Sequence, residues 1–299
     1  MKNYIHYLLL ALCLFTASTL QANEATPLFH VTKKGSGPVM VLIPGLMSDA
    51  RVWSPIEAEL AQHFELHLIE LKGFGRTPAI NGNEAPEPGW LRAVQQQLLA
   101  YVEVEGLTQP VIVGHSLGGF LALALAVEAP AQIGRVVSID GLPYLAPVYT
   151  RDPTTTPEQM AAPAQNMLAF YRGLPNAEAL EHTMLQNIGI HAESREHQQW
   201  IMKMSAESAP GVAGVAVHDL LMWDLRGALH TIEQPVLILG ASGALPEAMR
   251  GEAENLYRQQ LENLPAQEGP ALVMNTQARH FIMLEQPEWL VQRILEHTQ

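Results

Sequence analysis

Cysteine is almost absent: of 299 residues, only Cys13 carries a thiol. It lies inside an N-terminal apolar run. A chain that loses that run has no disulfide, no thiolate metal ligand and no cysteine nucleophile. Charge is also scarce, at 16% of residues, and basic charge scarcer still, with 17 Lys and Arg against 30 Asp and Glu. The net charge of −13 repels phosphate backbones and anionic lipid, so nucleic-acid binding is not expected. No block of like charges appears, which argues against an acidic interaction tail, and there is no internal repeat or low-complexity tract. What remains is an ordinary globular composition, 48% hydrophobic, long enough for one large core or a core with an insertion.

The N-terminus has the pattern of a secretory signal. Lys2 supplies the positive start, residues 8–15 form a short apolar run, and residues 16–22 are small and polar up to Ala22, where cleavage is expected. Leu12 stands where a lipoprotein signal would carry a small residue before the cysteine. The apolar run is too short for a comfortable membrane span. The expectation is an exported protein, periplasmic or secreted, with no stable membrane span after cleavage. A lack of thiols suits such an oxidising compartment.

Beyond the signal, short apolar runs alternate with longer helical patterns. Residues 39–43, 65–71, 110–114, 135–140, 235–239 and 270–274 read as strands. Their hydrophobicity is continuous rather than alternating, as in a parallel sheet covered by helices on both faces. Helical patterns fall at 55–63, 90–105, 117–129, 247–264 and 287–297. The fold class expected is α/β, a doubly wound and mostly parallel sheet. Residues 142–226 break the rhythm with helical stretches punctuated by Pro153, Pro157, Pro163, Pro175 and Pro210. This interval reads as a helical cap inserted between sheet strands, dividing the core into residues 23–141 and 227–299. Methionines at 160, 167, 184, 202, 204 and 222 suit either an adaptable apolar pocket or the packing of a small helical layer. His182, His191 and His197 match no metal-ligand spacing and are expected on solvated helix faces.

The chemistry-bearing segment is Gly114-His115-Ser116-Leu117-Gly118-Gly119, between a buried strand and an apolar helix. A nucleophile at such a junction occupies a sharp turn, and the residues two before and two after need to be glycine to avoid collision. The following helix aims its N-terminus and unpaired N–H groups at the Ser116 hydroxyl. With these residues the chain resembles the α/β-hydrolase-fold enzymes, in particular the esterase and cofactor-free haloperoxidase branch, over roughly residues 28–297. The resemblance implies an oxyanion donor after an early strand, where Ile43-Pro44-Gly45-Leu46-Met47 stands. Pro44 replaces the usual histidine, but the donor is a backbone amide, so Leu46 serves together with Leu117. Gly73-Phe74-Gly75-Arg76 matches the family's glycine-bounded turn, which shapes the wall of the site. His280 matches the catalytic histidine, between the last strand and the last helix; an imidazole accepts the Ser116 proton and returns it to a leaving group.

The acid departs from the pattern. The resemblance implies an aspartate after the next-to-last strand, and Gly243 holds that place. Asp140, at the end of the strand after the nucleophile helix, is the preferred substitute and Glu247 the alternative; a site with no acid is the third possibility. Asp219 and Asp224 rank lower, as residues connecting cap to core. The function expected is cleavage of an ester, lactone or thioester through Ser116, His280 and Asp140, without metal or organic cofactor, on a small molecule with an apolar portion. A cofactor-free haloperoxidase or perhydrolase with the same residues, and a non-catalytic binding protein of the same fold, are the alternatives. The oligomeric state stays open.

Overall fold

A computed structural model describes residues 26–80 and 86–298. The signal pattern and Cys13 lie outside the described residues. Among those described, seven strands form one sheet: β1 (Phe29–Gly35), β2 (Val39–Ile43), β3 (Glu65–Leu71), β4 (Val111–His115), β5 (Val136–Ile139), β6 (Val236–Ala241) and β7 (Leu272–Asn275). Their order is β1-β3-β2-β4-β5-β6-β7. All neighbours pair in parallel except β1, which runs antiparallel to β3 at one edge.

The continuous apolar runs divide their side chains between two cores. Val41, Ile43, Ile69, Leu71, Ile112 and Val136 face one side, while Met40, Leu42, Leu66, Leu68, Val113 and Val137 face the other. Successive residues of a strand point to opposite faces, so a strand covered on both sides must be apolar throughout. Each such side chain contributes about 1.5–3 kcal/mol relative to leaving it in water. The first face is covered by α2 (Trp90–Val104) and α3 (Leu117–Glu128), the second by α1 (Ser54–Leu60) and the C-terminal Pro287–Thr298 helix. β1 escaped the sequence expectation because its Phe29-His30-Val31-Thr32-Lys33-Lys34-Gly35 run is mostly exposed and polar. An edge strand paired on one side needs no continuous apolar face.

Between β5 and β6 the chain makes the expected helical insertion: α4 (Ala146–Thr150), α5 (Pro157–Arg172), α6 (Glu178–Leu185), α7 (Ile188–His191), α8 (Arg195–Ala206) and α9 (Pro210–Met222). Pro157 and Pro210 open helices, as proline's fixed φ and missing N–H favour. Pro163, in contrast, lies inside α5. α9 is buried from Val212 to Leu221 and forms the centre of the cap. Asp219 on it accepts hydrogen bonds from the Gly89 and Leu91 amides (2.8 and 3.0 Å), which caps α2 and ties the cap to the core. After β6 come α10 (Glu247–Gln260), α11 (Ile282–Glu285) and α12 (Pro287–Thr298). Strand order reverses between β2 and β4, and at such a switch point the crevice beyond the carboxyl ends of the strands is free for a ligand.

Candidate active site

Ser116 stands at that switch point, between the end of β4 and the start of α3. Its φ of 53° and ψ of −114° are outside the ordinary regions for a side-chain-bearing residue, a state that stores about 1–3 kcal/mol of strain. The turn survives because its flanks carry no side chains. A Cβ on Gly114 would strike the Gly118 carbonyl, one on Gly118 the Ile43 carbonyl, and one on Gly119 the Ser138 hydroxyl. The Gly118 contact also packs the start of α3 against the loop after β2, which brings Leu117 and Leu46 to the same place. Neither the Leu46 nor the Leu117 amide donates to another backbone group among the described residues. Asp49, fully buried, braces the Leu46 loop by accepting from the Arg51 side chain and the Arg76 amide, and Arg51 also pairs with Glu207 just after α8.

Asp140 follows β5, the strand next to β4, and also has a positive φ, 49°. Aspartate tolerates this left-handed state better than most residues. Its backbone amide continues the sheet by donating to Leu239 O (2.8 Å). Its carboxylate faces two ways: Oδ2 accepts from His280 Nδ1 (2.6 Å), and Oδ1 accepts from the Ala241 amide (2.8 Å) and the Tyr257 hydroxyl (2.6 Å). A carboxylate can only accept, so Nδ1 carries a proton, and in the neutral imidazole Nε2 is then the nitrogen that keeps its lone pair. The His280 side chain retains 21% of its exposure, enough to meet a substrate. Glu247, the alternative acid, lies exposed in the first turn of α10.

His280 is linked to the Ser116 turn through the residue before the serine, at the carboxyl ends of the central strands. His115, the residue before Ser116, packs its ring on His280 with centroids 4.6 Å apart and shares a hydrogen bond (3.1 Å) between its Nε2 and the His280 carbonyl. Among the described residues no hydrogen bond joins the Ser116 hydroxyl to the imidazole. Such bonds are often long without substrate and tighten in the complex.

The cap holds the His280 loop directly. His280 and Phe281 donate their amides to Ile190 O (3.3 Å) and His191 O (3.1 Å), and the Arg279 guanidinium donates to Gly189 O (2.5 Å). Glu285 accepts from the Arg279 and Glu193 amides (2.6 and 2.5 Å). His191 is therefore not on a solvated helix face, contrary to expectation. Its ring meets His280 at 5.4 Å and Phe281 at 5.9 Å, and burial, then the neighbouring His280, pushes its pKa down to about 3. His182 is exposed, whereas His197 is only partly so. Of the methionines in the cap, Met160 and Met204 are buried in the core and Met167 faces a cavity between α5 and α6.

The Gly73 turn also meets the cap, through Gly73 O to the Ala209 amide and the Gly75 amide to Ser208 Oγ (both 2.8 Å). A cavity of about 790 Å³ lies there, lined by Gly73, Thr77, Tyr171, Ser208 and Pro210 but by none of Ser116, Asp140 and His280. Tyr257 is a residue of the site that sequence reasoning missed. It lies in no motif, and only the register of α10 over the sheet brings it to Asp140.

Comparison with known proteins agrees with this architecture. The profile of the alpha/beta hydrolase family matches residues 40–293. The pimeloyl-[acyl-carrier protein] methyl ester esterase of Klebsiella pneumoniae is 30% identical over 203 residues, 67% of this chain and 73% of that protein. The enzyme of the same name from Nitrosospira multiformis is 29% identical over 245 residues, 79% of this chain and 89% of its own. Among solved structures, the enol-lactonase from Burkholderia xenovorans superposes with a TM-score of 0.70 at 17% identity, covering 90% of this chain and 96% of that one.

Proposed function

We propose, from the premise that this chain belongs to the alpha/beta hydrolase family and is an enzyme of that fold, that it cleaves carboxylic esters through a covalent acyl-serine. Ser116 Oγ attacks the ester carbonyl while His280 Nε2 takes its proton. The Leu46 and Leu117 amides receive the negative charge that develops on the carbonyl oxygen, an arrangement that typically supplies several kcal/mol because the dipoles are already aimed. Collapse of the tetrahedral intermediate expels the alcohol, protonated by His280. Water, activated by the same imidazole, then releases the acid. Asp140 keeps the Nδ1 proton in place and stabilises the imidazolium that forms in each half-reaction.

The observation that carries this reading is the 2.6 Å hydrogen bond from His280 Nδ1 to Asp140 Oδ2, at the strand end beside the Ser116 turn. It counts against a binding protein of the same fold, whose one supporting feature is the glycine at position 243. The names of the methyl ester esterase relatives support an ester rather than a lactone or thioester, with a small alcohol as leaving group. A small molecule with an apolar acyl portion is the substrate class. The Lys2 to Ala22 pattern supports export, and the intact mass of protein recovered from the periplasm tests cleavage after Ala22.

A fluorophosphonate probe is the direct test. It should label the wild type and leave Ser116→Ala unlabelled, and a series of methyl esters of increasing acyl length should be hydrolysed in parallel. A wild-type protein that takes up no probe and turns over none of these esters would remove the proposal.

A further inference from the structure

We infer that Tyr257 is the positioning residue for the acid of this site, compensating for an acid that comes from β5 rather than from the loop after β6. This rests on the esterase reading above. The usual place is closed by packing: a Cβ on Gly243 would lie 2.6 Å from Ala278 O and 2.7 Å from Gln277 O. The Gly243 amide donates to that same Ala278 carbonyl (2.8 Å). Residues 275–278 form the turn that leads into His280, so a carboxylate at 243 would push away the loop that carries the base.

An aspartate at the end of β5 meets a different difficulty. Its carboxylate can rotate about a soft terminal torsion, and only one orientation presents an oxygen to His280 Nδ1. Two donors on the opposite oxygen select that orientation. One, the Ala241 amide, is part of the sheet and is available whatever the surrounding side chains are. The other is the Tyr257 hydroxyl, which reaches across from α10 to Oδ1 at 2.6 Å, a short charge-assisted bond. Burial, then the charge of Asp140, pushes the phenol well above its usual pKa, so it stays a donor at any working pH.

A second observation shows that the strand is shaped for this ring. Gly240, in β6, lies under it and beside Met274: a Cβ there would come within 2.4 Å of Met274 Sδ and 2.9 Å of Tyr257 Cε1. Gly240 leaves room for the ring and for the Met274 side chain, Tyr257 reaches Asp140 across it, and Gly243 lets the His280 turn close over the vacated acid position. Three residues outside the serine and histidine motifs thus act on one carboxylate.

The test is a double-mutant cycle on the full chain with a chromogenic ester. Tyr257→Phe keeps the ring and deletes only the hydroxyl. It should lower kcat about tenfold with KM within about twofold, the pattern of an interaction that acts on the transition state rather than on substrate binding. In an Asp140→Asn background the same change should have no further effect, because the carboxylate it orients is gone. Gly240→Ala crowds the ring and Met274 while leaving the hydroxyl. In a Met274→Ala background, where only the ring is in the way, it should reproduce the loss, and the effect should likewise vanish in Asp140→Asn. Equal losses in both backgrounds would mean that Tyr257 only packs, and no loss in the wild type would mean that it does nothing; either overturns the inference. Ser116→Ala separates the two levels. If it retains turnover, the esterase reading falls and this inference with it. If it is dead while Tyr257→Phe is silent, this inference alone falls.

Discussion

Ser116 and Asp140 end adjacent parallel strands and share an unusual backbone state, with φ of 53° and 49°, yet they are held by opposite means. The clearance that the Ser116 turn needs comes from its own neighbourhood, although the atoms it clears belong partly to the ends of β2 and β5. Glycines at 114, 118 and 119 remove the side chains that would collide, and the helix that follows immediately supplies the free amide. The Asp140 turn has local support in Gly141 and in the Ser138 hydroxyl that donates to the Gly141 carbonyl (2.8 Å), but its carboxylate is held from afar. Its side-chain partners Ala241, Tyr257 and His280 lie 101, 117 and 140 residues further along the chain. A locally built turn fails when a neighbour gains an atom, whereas a remotely held one fails when a distant partner loses one. The first kind of failure reads out in stability, the second in rate.

The largest effect that would sharpen this contrast belongs to Asp140→Asn. It should lower kcat by about 10³–10⁴-fold, as expected when the imidazole loses the acceptor that fixes its tautomer. Its denaturation midpoint should stay close to wild type; a loss of folding comparable to that of a glycine variant would break the comparison. Gly118→Ala should come next, with a destabilisation of about 3 kcal/mol in urea unfolding, because the new methyl meets the backbone carbonyls of Ile43 and Pro44.

A smaller effect follows from the imidazoles beside His280. Burial, then the neighbouring His280, depresses both His115 and His191, the latter to about 3. The unfolded chain takes up these protons below about pH 6.5, where the folded chain does not. Stability contributed by the neutral rings is therefore fully present above that pH and is lost progressively as pH falls towards 3. Urea midpoints at pH 7 and pH 4.5 measure this slope, and His191→Phe should flatten it. The smallest effect is that of Glu247→Gln, which should keep kcat within about twofold, since an exposed side chain in the first turn of a helix lends that turn only a few tenths of a kcal/mol. A large loss there would reopen the choice of acid.

Five of the six strands that the sequence revealed are interior strands buried on both faces, where burial forces an unbroken apolar run. β7, at the other edge, was legible because its Leu272-Val273-Met274 run is apolar although only partly buried. β1 was not legible, since an edge strand with polar, exposed residues has the same appearance as a loop. The helix and strand around Ser116 were legible for a different reason: the constraint there is steric and spans only six residues. His191 was misjudged because α7 is four residues long and its place comes from hydrogen bonds to residues 280 and 281, which no periodicity announces. Asp140 and Glu247 could be ranked but not separated along the chain, since both follow strands at the same end of the sheet.

What the chain carried in its own order were the class of fold, the serine turn and the histidine loop, each set by short-range patterns of burial and backbone clearance. Which carboxylate meets the imidazole, that a tyrosine holds it, and that the cap grips the histidine loop were decided by tertiary structure. Those contacts join segments about 90 to 140 residues apart, and they exist only once strand register and helix packing have brought the carboxyl edges of β4, β5 and β6 together.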